Sequence, residues 1–530
     1  MSNKKNSKRK IGTDEIVSAY KTMMEYKDSK RDLENRIISN EKWFKLRCNI
    51  DGENGIGKSS AWLFNSIINK HADAMDSFPE PNVLPREPGD TESAKQLSSI
   101  LPAILEKCNF EQVYSDVWWY KLKTGTGVYG VFWNNDLEGG LGDIDIRQLD
   151  ILNLFWEPGI KYIDQSANLF YAVACDKEKL KEEYPHIKFD FEGDNNELEA
   201  YDLESELADE TKALVVDWYY KKKVGGKTVL HYCKFVGKNL LYASENDEKF
   251  SQTGFYSHGK YPVVFDTMFV SEGTPAGFGY IDVMKGCQNV IDKLDAAIVK
   301  NTLISETPRW FISDTAGINE EEYADWTKAF VHTTGRIDDE TLKQVSVEGI
   351  SEAALKLLQF KVDELKENSG NRDFSQGSTS LGVTAASAII ALQEAGGKLS
   401  RDMVKSSFRA YASLCYLMIE LIRQFYTEPR TFRITGSGKN YDFIVYNRFR
   451  DGGDLGNGEL SSENSARPIY DIKIVPQKQN PFQKATQNEL AKELFNLGMF
   501  DKDRREEAII AVRMMDFNGK EEVLAKLKEE

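Results

Sequence analysis

At 530 residues the chain exceeds what one hydrophobic core serves, so several packed regions or one elongated, multi-part subunit are expected. Hydrophobic residues at 41% and charged residues at 29% are ordinary for a globular fold and exclude a disordered or fibrous chain. A net charge of -16 argues against a protein that grips nucleic acid by neutralising phosphates along a basic face.

The first ten residues carry five basic side chains with no apolar run behind them, which reads as a solvated tail and not as a signal peptide. No apolar run of about eighteen residues follows anywhere, so a soluble protein made in the cytoplasm is expected, with no membrane partner. Residues 13–40 read as a polar helix. Phe44, Leu46, Cys48 and Ile50 then alternate with Lys45, Arg47, Asn49 and Asp51, the pattern of a half-exposed strand.

Residues 52–59 (GENGIGKS, from Gly52 to Ser59) match the phosphate-binding pattern GxxxxGK[ST], and ALVVD ending at Asp217 imitates a magnesium-binding strand. A true P-loop joins a buried parallel strand, which reads as a continuous apolar run, to a helix whose N-terminal N–H groups wrap phosphates. Here the preceding run alternates, and ALVVD leads into a hairpin. A P-loop NTPase is therefore the alternative reading, and no enzyme activity is expected.

Residues 61–78 read as an amphipathic helix stopped by Pro79 and Pro81, and 93–123 as a further helical stretch. Short alternating runs follow at 128–133, 143–146, 169–175 and 213–220, with Gly225-Gly226 marking a hairpin. Gly125, Gly127 and Gly130 fit GxGxxG, but they follow a helix and open a strand, the reverse of a dinucleotide site. Residues 192–210 hold nine acidic residues and no basic one, as in a solvated insert without regular ligand spacing.

Six scattered cysteines (Cys48, Cys108, Cys175, Cys233, Cys287, Cys415) form no CxxC pair and are expected as buried thiols. The five histidines (His71, His186, His231, His258, His332) fit no metal motif, so no metal, cofactor or catalytic residue is expected.

From Gly279 the chain turns helical. Val283, Cys287, Val290, Leu294 and Ala297 predict an apolar seam on a helix of about 25 residues ended by Pro308. A mixed segment over 309–349 follows, then a second seam through Leu355, Leu358, Val362 and Leu365. Residues 368–383 are rich in Gly and Ser, and 384–426 read as one helix capped by Thr384 and broken by Gly396 and Gly397, where a kink is expected. Strands resume after Pro429 (TFRIT, YDFIVYN, IYDIKIV), and the last fifty or so residues read as short amphipathic helices.

This order of features resembles the portal (connector, head-to-tail) proteins of tailed bacteriophages. The resemblance is carried by GFGYIDVMKGCQNVIDKLDAAIVKNTLISETPRW at 277–310 and LGVTAASAIIALQEAGGKLSRD at 381–402, supported by NKHADAMDSFPEPNVLPREPGD at 69–90, KTGTGVYGVFWNND at 123–136 and Glu157-Pro158. It implies an α+β, elongated subunit. Residues 1–275 and 428–479 would form a mixed α/β wing, 276–308 and 351–367 two stem helices, 309–350 a small clip lobe, 368–383 a tunnel loop, 384–427 a long kinked wing helix and 480–530 a helical crown.

The implied function is a ring-shaped channel, dodecameric in this family, at one capsid vertex, for packaging and ejecting double-stranded DNA. Such a ring nucleates procapsid assembly and joins head to tail. The implied partners are further copies of the chain, a terminase large-subunit ATPase, a head-completion or adaptor protein, and the major capsid and scaffolding proteins. DNA would pass with weak, sequence-independent contact to tunnel-loop residues Asn371, Arg372, Ser375, Gln376 and Ser378. Clip residues Trp310, Phe311, Trp326 and Phe330 would anchor partners or neighbouring copies. The implied location is the virion, with the host cytoplasm as the site of assembly.

Overall fold

The computed structural model describes residues 11–46, 60–189, 211–306, 398–435, 441–446 and 470–478, most of 310–370, and isolated positions beyond 490. Within these residues the chain is a mixture of helices and antiparallel sheets, the α+β class expected.

Helix α1 (Thr13–Phe44) departs from its polar appearance: it is buried along one side and joins two cores. Ile16, Ala19 and Met23 pack with Phe170, Val216 and Phe235 of one cluster, while Ile37 belongs to the principal core. Between them Lys30 and Glu34 are also buried. The Lys30 ammonium donates to the carbonyls of Ile151, Leu152 and Leu154 at 2.8–3.0 Å, pairs with Glu34 at 3.1 Å, and lies 4.3 Å over the Phe155 ring. One cation satisfies three carbonyl oxygens at a tight turn, so a charged residue belongs at this buried position.

The strand expected from Phe44 onward is absent at its start. Phe44 is the last residue of α1, and Leu46 takes a left-handed φ of 57°. Helix α2 (Trp62–Met75) is shorter than expected because Pro79 and Pro81 lie inside strand β1 (Ser77–Pro85), which pairs with β14 (Tyr470–Lys478) with Pro79 opposite Pro476. Prolines two residues apart project their missing N–H toward the same edge, the one away from β14 that packs on the next helix (Thr91–Lys107), where the Ser98 hydroxyl accepts the Val83 N–H at 2.9 Å.

The helical stretch after it divides into α3 (Thr91–Lys107) and α4 (Phe110–Thr124) at Asn109, whose φ of 50° is one that Asn adopts more readily than most residues.

Strand β2 (Thr126–Asn134) is buried through most of its length and lies between β3 (Asp143–Gln148) and β9 (Val263–Thr267). A second, five-stranded antiparallel sheet runs β4 (Leu154–Trp156), β5 (Asn168–Asp176), β6 (Lys212–Val224), β7 (Lys227–Val236), β8 (Asn239–Ala243), with helix α5 (Lys177–Glu183) after β5. The Gly225-Gly226 hairpin forms as expected, both glycines at positive φ between Val224 and Lys227.

Helices α6 (Tyr280–Glu306) and α8 (Glu352–Ser369) pack together. Between them lies a small lobe of β10 (Trp310–Ile312), helix α7 (Glu320–Ala324) and β11 (Leu342–Gln344). Helix α9 (Lys398–Phe425) is followed by the ribbon β12 (Arg430–Thr435) and β13 (Tyr441–Tyr446). Thr384, Gly396 and Gly397, where the cap and kink are expected, lie outside the described residues.

Helix α9 buries Met403, Ala410, Tyr411, Leu414, Cys415, Met418 and Ile422 against the principal core. Where it crosses β9 and α4, the Lys121 ammonium meets the Asp266 carboxylate at 2.6 Å and the Ser407 hydroxyl at 2.7 Å, while Ser407 donates to the second Asp266 oxygen at 2.5 Å. All three are buried, and the Trp118 ring lies 4.6 Å from the ammonium.

Breaking this cluster with Asp266→Ala leaves the ammonium buried without its counter-charge and should cost about 3–5 kcal/mol, read as a lower midpoint of chemical denaturation. The double variant Lys121→Met/Asp266→Leu removes both charges and should recover most of that loss.

Cys233, Cys287 and Cys415 are buried as expected, whereas Cys108 and Cys175 are only half-buried and Cys48 lies outside the described residues. Burial pushes the Cys233 and Cys415 thiols up from 9.0 to about 12. The unfolded chain gives up these protons above about pH 9 while the folded chain keeps them, so stability falls as pH rises through that range. The slope from each thiol reaches ~1.4 kcal/mol per pH unit. Denaturation midpoints followed across this range should decline, and Cys233→Ala/Cys415→Ala should flatten the decline.

Candidate functional site

The surface that distinguishes the molecule is the outward side of the α6–α8 pair. The face of α6 that packs inward carries Tyr280, Ile281, Met284, Cys287, Gln288, Ile291 and Asp292. Of the expected seam only Cys287 lies on it. Val283 is 43% exposed, Val290 and Leu294 are half-buried, and Ala297 is exposed. Reading apolar residues alone misplaces the face because its centre holds two polar side chains, Gln288 and Asp292. Further along, Val299 and Leu303 also face outward.

On α8 the expected seam sinks progressively: Leu355 is exposed, Leu358 and Val362 half-buried, Leu365 buried. Leu357 and Phe360, the latter 63% exposed, add to the outward apolar surface. The two helices are tied near Cys287, whose thiol donates to the Lys361 carbonyl at 3.0 Å. A helix pair that buries one end and leaves Val299, Leu303, Leu355, Leu357 and Phe360 in water has more apolar surface than a solitary subunit covers.

Gln288 and Asp292 close the start of α2. The Asp292 carboxylate accepts from the Ser60 N–H at 3.0 Å and the Ser60 hydroxyl at 3.1 Å, and the Gln288 carbonyl accepts from the Leu63 N–H at 3.0 Å. Gln288 in turn donates to the Ser60 carbonyl at 2.9 Å. Helix N-termini leave N–H groups without partners, and these are the groups that a P-loop offers to phosphate.

In this chain the helix that follows GENGIGKS has its Leu63 N–H taken by the Gln288 side chain, with the Asp292 carboxylate on Ser60 just before it, so phosphate oxygens there would meet like charge. Asp217 lies on the antiparallel β6, and its carboxylate accepts the Tyr232 hydroxyl at 2.6 Å. The motif residues themselves, Lys58 included, lie outside the described residues.

The other glycine pattern has a packing explanation. Gly125 caps α4 at φ 89°, and a Cβ there would come within 2.3 Å of the Phe278 backbone, so the chain approaches itself too closely for a side chain.

Tunnel-loop residues Asn371, Arg372, Ser375, Gln376 and Ser378, together with Trp326, lie outside the described residues. Trp310 and Phe311 fall on β10, opposite Gln344 and Lys343 of β11. Phe330 stands 78% exposed in the same lobe, where Tyr323 is also exposed and Glu322 accepts from the His332 N–H at 2.8 Å. Among the described residues no group of His, Cys, Asp and Glu has the proximity to hold a metal, and no helix is long and apolar enough to cross a membrane. Sequence reasoning missed Lys30, the Lys121–Asp266–Ser407 cluster and the Gln288–Asp292 cap, because each is a long-range pairing of ordinary polar residues with no local pattern.

Antiparallel sheets clasping a long helix, and a helix pair that offers apolar side chains outward, define an assembling structural subunit. A family model described as phage P22-like portal protein matches residues 72–253 and 227–530, and the chain belongs to that family. The family is a structural, non-enzymatic one whose members form a capsid-associated oligomeric ring in the virion. No curated protein matches the chain.

With a carboxylate set just before α2, Lys58→Ala should leave nucleotide binding by calorimetry indistinguishable from the unaltered protein, both at background. Asp292→Ala removes the acceptor of the Ser60 N–H and hydroxyl and should cost about 1 kcal/mol in denaturation, the scale of a net hydrogen bond.

Proposed function

We propose that the chain is the portal subunit through which double-stranded DNA enters and leaves a phage capsid at one vertex. In this reading it closes into a ring, dodecameric as the resemblance implies, nucleates procapsid assembly and later joins head to tail. The observation that carries the proposal is the outward apolar surface of α6 and α8 in a chain of the portal family. A head-to-tail contact repeated by rotation covers such a surface on every copy and closes a ring.

On this reading residues 1–275 and 428–479 serve as wing, 276–308 and 351–367 as stem, 309–350 as clip, 368–383 as tunnel loop, 384–427 as long wing helix and 480–530 as crown. Terminase would dock on the clip, with exposed Phe330 as an anchor, and supply the energy for packaging. An adaptor would take the same end once the head is full, and the capsid and scaffolding proteins would meet the wing. A charge of -16 per subunit suits a conduit along which duplex phosphates slide instead of binding.

Negative-stain electron microscopy of the purified chain should show rings with a central channel; monomers or compact dimers at every salt concentration would overturn the proposal. Leu303→Glu/Phe360→Glu places charges on the outward helix faces and should abolish rings while leaving the circular dichroism spectrum and thermal midpoint of the subunit unchanged.

A further inference from the structure

A cavity of about 390 Å³ opens between the turn at 161–164, strand β9, the segment 270–275 and helix α9. Its walls mix apolar side chains, Tyr162, Val270 and Leu417 among them, with hydroxyls such as Thr274, Ser406 and Ser413, and Tyr162 and Val270 are each 64% exposed. Three exposed cations, Lys161, Lys260 and Arg409, stand in the lining.

The two carboxylates that share the lining are already matched. Asp164 pairs with Lys221 at 3.5 Å, and Asp266 pairs with Lys121 at 2.6 Å. Lys161 reaches the exposed Glu272 at 3.2 Å, and the Lys260 ammonium lies 4.3 Å over the Tyr416 ring. The cavity therefore presents cationic excess, from Lys260 and Arg409, around a partly apolar recess, on a chain whose net charge is -16.

The five-stranded sheet relates this cavity to the most acidic stretch of the sequence. The Lys221 N–H donates to the Ala167 carbonyl beside the start of β5, so the cavity adjoins that end of the sheet. At the other end Asp176 pairs with Lys212, the residue that residues 192–210 precede. Nine residues of β5 at about 3.3 Å each separate the two ends by roughly 25–30 Å. Residues 192–210 join nine carboxylates to Leu198, Tyr201, Leu203 and Leu207. A ring contact of head-to-tail type requires two unlike, complementary patches on opposite sides of one subunit.

We propose that the cavity receives the acidic 192–210 segment of a neighbouring copy, with a Leu or Tyr side chain entering between Tyr162, Val270 and Leu417 while flanking carboxylates pair with Lys260 and Arg409. The proposal rests on the portal reading, since it needs a neighbour. An apolar recess favours a peptide over a nucleic-acid backbone, whose phosphates call for cations on an open surface. Charges at such a rim govern the rate of encounter and its dependence on salt.

The test uses the full chain, with a photo-crosslinking amino acid in place of Tyr162. The expected product is a covalent dimer whose linked peptide, identified by mass spectrometry, lies within 192–210. Lys260→Glu/Arg409→Glu should weaken ring association about tenfold and lower the salt concentration at which rings dissociate. Glu204→Lys/Glu206→Lys should do the same, and the combined variant should restore association.

Lys260→Glu alone, distant in charge pairing from the buried Asp266 cluster, should show a smaller loss at an unchanged thermal midpoint. Crosslinks within one chain, crosslinks to another segment, or failure of the combined variant to restore rings would each overturn the proposal. Loss of duplex binding by the cavity variants with ring stability intact would assign the cavity to phosphate and overturn it equally. If rings form normally in all variants only this proposal fails; if the unaltered chain forms no rings, the portal reading fails with it.

Discussion

The meeting of Lys121 with Asp266 and Ser407 holds the molecule's distant parts in one arrangement. The three side chains come from α4, β9 and α9, elements separated by more than a hundred residues each, and they meet inside the principal core. A buried ammonium is tolerated only where an opposite charge and further hydrogen bonds replace its water, so the cluster forms in one geometry or not at all. Apolar packing around it would tolerate α9 sliding or rotating by a fraction of a turn. The polar cluster does not, and it fixes the register of the long helix against the sheet.

The same logic recurs where helices and turns meet. Lys30 satisfies three carbonyls at the start of β4, and Gln288 and Asp292 take the Leu63 N–H of α2 and the Ser60 N–H just before it. At the far end of α9, Tyr426 donates to Asp143, and the Arg430 guanidinium lies 4.0 Å over the Tyr426 ring. Each contact sets a polar or charged side chain against backbone groups or a buried acid. The inner half of the α6–α8 pair is thereby held to the body of the subunit, while its outer half is left to find apolar cover elsewhere.

Much of this was legible in the chain's local chemistry. Alternation placed β2, β3, β5 and β6, Gly225-Gly226 placed their neighbouring hairpin, and apolar spacing placed α6 and α8 as elements. Resemblance across 277–310 and 381–402 pointed to the family that the comparison bears out. The face of α6 was not legible, because Gln288 and Asp292 look like solvent-facing residues until α2 is placed beside them. Helix α1 misled for the same reason: Lys30 and Glu34 read as surface charge, yet one is a cap for distant carbonyls and the other its counter-ion. Pro79 and Pro81 read as a stop because proline breaks helices, and only the pairing with β14 reveals an edge strand. In general, periodicity reports which residues avoid water, whereas polar pairings across the fold depend on coordinates that no local pattern carries.

The proline-bearing ribbon matters most when many identical subunits stand side by side. An unpaired strand edge is a template for any other strand, and a closed assembly multiplies such edges at high local concentration. With Pro79, Pro81 and Pro85 on β1 and the Val83 N–H between them donated to the Ser98 hydroxyl of α3, that edge offers an incoming strand no free donor from Pro79 to Pro85. The ribbon can join residues distant in the chain without recruiting the corresponding ribbon of another molecule, so any contact between copies would fall to side-chain surfaces and not to a ladder that grows without limit.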